Sequence, residues 1–179
     1  ERPTRTRLGP PLAVAPPPPP PGDASRLEIA LWSLQLRYWA WRHTPDDESN
    51  GNRVRIFVLY HGMEDGKPLQ HSLGLQKGLL GVVHGYASRE QNKQNNLVIA
   101  HELLHTVGAS DKYDTQGNPV FPDGYAQPER TPLFPQYRAE IMAGRIPDSR
   151  SESRMAISLD SCMIGTTTAR EISWLETEQ

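Results

Sequence analysis

Cysteine is almost missing from this chain: Cys162 is the only one in 179 residues. A single thiol excludes an internal disulfide and any metal site built on several thiolates. Such a residue is expected to be a small buried apolar side chain rather than a nucleophile. Long hydrophobic runs are missing too. No stretch approaches the roughly 20 apolar residues of a membrane span. The N-terminus has no basic, then apolar, then small-residue order, so no signal peptide is expected and any export would need another route. Nor does charge of one sign dominate. Nineteen Lys and Arg face 21 Asp and Glu, for a net charge of -2. A nucleic-acid-binding domain would carry a basic face, so no nucleic-acid partner is expected.

What the chain does hold is unevenly spread. Residues 1–22 contain nine of its 17 prolines, including the run Pro16–Pro21. Such a run favours extended polyproline II and builds no core, which predicts a linker over 1–22. Residues 23–179 are then long enough for one domain around one core.

Asp23 or Ser25 is placed to cap a helix running to about His43, in which Leu27, Leu31, Leu34 and Tyr38 recur at helical spacing. Trp32, Trp39 and Trp41 add bulk and are expected to pack in a core. Thr44-Pro45-Asp46-Asp47 and Asn50-Gly51-Asn52 then break the pattern. Residues 54–60 are rich in β-branched and aromatic types and predict a buried strand. Residues 79–87 predict a second, whose two glycines signal a bulge or a close backbone approach. From about Glu90 to Val107 the pattern is helical and apolar on nearly all sides, which predicts a central buried helix stopped by Gly108. Residues 109–135 carry five prolines and two glycines without periodicity; a loop of that length inside a domain is usually functional or disordered. A final helix is expected near 167–176.

The chemistry concentrates in His101-Glu102-Leu103-Leu104-His105. Side chains four apart on a helix share a face, so both imidazoles can reach one zinc ion. Glu102 lies about 100° further round. It can miss the metal and still reach an activated water as general base. Zinc lowers the pKa of water toward neutrality and polarises a carbonyl, and a catalytic site keeps three protein ligands and one open position. Burying two histidines and a glutamate in an apolar helix without a partner would be costly, which argues for the metal.

Two residues compete for the third ligand. Glu140 lies between apolar neighbours in Ala139-Glu140-Ile141-Met142-Ala143, where an acid needs a strong partner, and it is the favoured choice. Asp111 is the alternative. It completes His-Glu-x-x-His-x-x-Gly-x-x-Asp, with Gly108 letting the chain turn back, although it also suits an Asp-initiated turn. Met142 is either a Met-turn residue beneath the metal or an ordinary core methionine. Tyr113, Tyr125 and Tyr137 are candidate donors to a tetrahedral intermediate. His84, on the second strand, is expected to be structural.

Residues 101–147, running through Phe121-Pro122-Asp123-Gly124-Tyr125-Ala126 to Ala139–Pro147, resemble the metallopeptidase domain at the C-terminus of some VgrG spike proteins of the bacterial type VI secretion system. Ser158-Leu159-Asp160 and Thr168-Ala169-Arg170-Glu171-Ile172 extend the likeness to about half the chain. The resemblance implies an antibacterial zinc metallopeptidase carried by an upstream spike domain. It would be injected into the periplasm of a target bacterium, act there on an envelope protein or peptide, and be countered by a cognate immunity protein. The expected architecture is an α+β zincin-like domain: a small sheet, a central active-site helix, a long loop and a C-terminal helix. Two other readings use the same residues: a zinc amidase or endopeptidase acting on peptidoglycan cross-links, and a non-catalytic binding module that keeps the zinc fold.

Overall fold

The computed structural model describes residues 6–44, 53–63 and 69–176. The chain divides into two compact units, Glu1–Arg53 and Val54–Gln179. The first helix therefore groups with the proline segment, whereas the sequence reading joined it to the domain beginning at residue 23. The breaker residues 45–52 lie outside the described residues.

In the first unit, α1 spans Arg26–Arg42. Ser25 begins it with a capping box: its hydroxyl accepts from the Glu28 amide at 3.3 Å, and the Glu28 carboxylate accepts from the Ser25 amide at 2.7 Å. The indole N–H of Trp32 donates to the Pro17 carbonyl at 3.2 Å, so the proline segment is tied to the helix rather than free along its length. Burial differs from the expected pattern. Leu36 and Ala40 are buried, while Leu27, Leu31, Leu34, Tyr38 and Trp41 are exposed. Apolar residues populate more than one side of this helix, and spacing alone cannot say which side is covered.

In the second unit, β1 (Arg55–His61), β2 (Leu73–Leu75) and β3 (Leu80–Tyr86) form a three-stranded sheet in the order β1-β3-β2. β1 and β3 run parallel, with Arg55 opposite Leu80 and His61 opposite Tyr86. β2 is antiparallel, with Gly74 opposite Gly81. Central β3 is buried through Leu80, Val82, Val83 and His84, as its near-continuous apolar run requires. Its glycines serve close approach: a Cβ on Gly81 would lie 2.7 Å from the Ile56 Cδ1, and one on Gly85 would lie 2.9 Å from the Asn95 Oδ1. Asn95 uses that proximity, accepting from the Tyr86 amide and donating to the Tyr86 carbonyl at 3.1 and 2.8 Å.

Those bonds fix the start of α2, Asn92–Thr106. Leu97 and Leu104 are buried, but Leu103 is exposed, so the helix is covered on most sides rather than all. Residues 107–138 contain no helix or regular strand, only isolated bridges pairing Tyr113 with Pro119 and Tyr125 with Ala139. Short pairings follow: β4 (Ala139–Glu140) beside β7 (Cys162–Met163), and β5 (Arg145–Pro147) against β6 (Ser153–Met155). The last helix, α3, covers only Thr166–Glu171. It stops earlier than the sequence suggested because Ser173 turns to φ 60°, and the Trp174 amide bonds back to the Ala169 carbonyl at 2.8 Å. One core joins these pieces through Leu97, Leu104, Ile141, Met142, Cys162 and Ile172. The architecture is mixed α and β, with small sheets. Among the described residues no helix is long and apolar enough to cross a membrane.

Candidate metal centre

Late in α2, one turn apart, His101 and His105 project to the same side, their ring centroids 4.7 Å apart. The Nδ1 of His101 lies 3.0 Å from the Ile141 carbonyl oxygen, and the Nδ1 of His105 lies 2.8 Å from that of Ala109. A carbonyl can only accept, so each Nδ1 carries a proton and each Nε2 is turned toward the other ring. Those two Nε2 atoms are 3.0 Å apart, and both stand 3.2 Å from the Oδ1 of Asp111. Burial lowers the pKa of His101, disfavouring the cation that would otherwise relieve the crowding.

Three potential ligand atoms thus lie within about 3 Å of one another. One proton would bridge a single pair; a divalent cation satisfies all three. Ligands about 2.0–2.1 Å from a tetrahedral metal are separated by about 3.3 Å, close to the spacing found here. His101, His105 and Asp111 could therefore hold a metal ion. The carboxylate of Asp111 is 41% exposed, so the cluster opens to solvent on that side.

Asp111 owes its place to backbone geometry. Gly108 takes φ +112°, and the Ala109 amide returns to the Leu104 carbonyl at 3.0 Å, turning the chain back toward the helix it has left. The Lys112 amide then donates to the Met142 carbonyl at 3.1 Å. The Lys112 ammonium, itself buried, donates to the Ser110 carbonyl and hydroxyl and to both carboxylate oxygens of Glu171. Glu171 also accepts from the Ser110 amide and hydroxyl, so α3 grips the residues on either side of Asp111.

Glu140, the favoured third ligand from sequence, is not part of this cluster. It is fully buried, and its carboxylate is occupied by other groups. Oε2 accepts from the amides of Met142 and Ala143; Oε1 accepts from the Gly165 amide and the Thr168 hydroxyl. The inference that an acid among apolar neighbours needs a strong partner was sound, but the partner is a ring of peptide and hydroxyl donors. Burial still outweighs them and raises its pKa. The strand turn that Glu140 organises brings the Ile141 carbonyl to His101 and the Met142 carbonyl to Lys112, so it supports the cluster from beneath. Met142 is fully buried in the core at that turn.

Glu102 is buried beside the cluster, and burial pushes its carboxyl up to about 7, with His105 opposing and Asp111 reinforcing the shift. Of the three candidate tyrosines, only Tyr113 joins the site. Burial raises the pKa of its hydroxyl, and the neighbouring Asp111 and Glu102 carboxylates add to the shift. Tyr125 is buried between the rings of Phe121 and Phe134, and Tyr137 holds Arg130 through a 2.6 Å bond and a cation–π contact. His84 pairs with His61 at 2.9 Å on the sheet. Cys162 is buried, its Sγ 3.5 Å from the Ser158 carbonyl.

Sequence reasoning missed β2, whose role lies here. A Cβ on Gly74 would collide with the Glu102 carbonyl oxygen and stand 2.7 Å from the His105 Cβ, so the strand presses directly on this turn of α2. A three-residue strand in a Gly-containing stretch gives almost no periodic signal.

No protein-family model matches this chain, and neither a curated protein nor a solved structure does.

Proposed function

We propose that this chain is a zinc-dependent metallopeptidase. The observation that carries the reading is the meeting of two Nδ1-protonated imidazoles and one carboxylate, beside a buried glutamate that takes no place among them. Two nitrogens and one oxygen, with one open side, suit a catalytic zinc ion rather than a closed structural one. A zinc ion held there would act as a Lewis acid and bring the pKa of water close to neutrality.

The protein's own groups then have distinct tasks. Glu102 accepts a proton from the attacking water and passes it to the leaving amine, a role suited to a carboxyl whose burial favours the proton. Tyr113 offers its hydroxyl to the carbonyl oxygen as negative charge builds there. β2 is an outer strand of its sheet among the described residues, the one that presses on the turn of α2 holding His105. Substrate in an extended form would pair with that edge, next to His105, which favours a peptide.

The resemblance of residues 101–147 to VgrG-linked peptidase domains supports action in the envelope of a target bacterium, on a protein or peptide there. Expression of the chain in the periplasm and in the cytoplasm, as wild type and as Glu102→Ala, tests both parts. Toxicity confined to the periplasm and dependent on Glu102 is expected. Toxicity that survives Glu102→Ala in a folded, metal-loaded protein would refute catalysis and favour a binding module. Cleavage of purified sacculi, with no cleavage of envelope proteins, would transfer the activity to peptidoglycan.

A further inference from the structure

We draw no further inference here: the strongest candidate, the His61–His84 pair across β1 and β3 of the three-stranded sheet, is two facing ring nitrogens 2.9 Å apart that share one proton as a hydrogen bond, and among the described residues no third metal-ligating side chain joins them.

Discussion

Lys112 and Glu171 form a bidentate contact, the ammonium nitrogen 2.8 Å from each carboxylate oxygen, 59 residues apart in the chain. Lys112 is almost fully buried and follows Asp111 directly, so this contact secures the loop that delivers Asp111 to the two histidines. Glu171→Gln would leave the ammonium buried without its counter-charge, at a cost of about 1–3 kcal/mol. Weaker metal binding should accompany this, by about 10- to 100-fold as for other supports of a ligand. Calorimetric titration with zinc, alongside urea unfolding, checks both effects.

The same contact predicts a pH dependence. Burial works against ionisation of Glu171, but the bonds from Lys112 and Ser110 outweigh it and lower its pKa below the ordinary 4.5. A carboxylate with a depressed folded-state pKa adds stability that is complete above the unfolded value and lost as pH falls through the folded one. The gap in urea midpoint between wild type and Glu171→Gln should therefore be constant near neutrality and close below about pH 4.5. A gap that widens on acidification contradicts this account.

Asp111 and Glu140 should separate cleanly. Asp111→Ala removes a donor to the cluster and should lower zinc affinity by more than about 100-fold with little loss of stability, since Asp111 is exposed. Glu140→Ala strips the acceptor from four buried donors and should destabilise the fold by about 2–4 kcal/mol. Where it remains folded, it should keep its zinc.

Tyr113→Phe removes one hydroxyl from beside Asp111. With peptide substrate, kcat should fall by about 10- to 1,000-fold while KM and zinc content change little, the pattern of a bond that matters only in the transition state. Equal loss of kcat and zinc would instead make Tyr113 a support for Asp111.

Cys162 is buried, and burial pushes its thiol up to about 11. The native chain should resist disulfide reagents at pH 8 and react fully in guanidinium chloride. Rapid labelling of the native chain would show that the segment around β7 opens.

The parts of this fold that were legible in the sequence are those with a period. β1, β3, α1 and α2 all fall within a residue or two of the expected bounds, and the glycines of β3 mark the close approaches they suggested. The helical pair of histidines was legible for the same reason, because i and i+4 fix a face without further knowledge of the fold. The third member was harder. The local spacing after Gly108 offered Asp111 only as the alternative, because the contacts of its neighbours Ser110 and Lys112 to Met142 and Glu171, far along the chain, are recorded by no local pattern. Glu140 misled because a buried acid announces only that it has partners, not which ones. The exposed stripe of α1 misled in a parallel way: periodicity found the stripe but not what lies against it.

Metal analysis after equilibrium dialysis of the purified chain against zinc tests the central claim most directly. One zinc per chain is predicted for wild type and for Glu102→Ala, with none retained by the His101→Ala/His105→Ala double variant. A folded wild-type chain that takes up no zinc at saturating supply, or a double variant that keeps a full equivalent, would contradict the account.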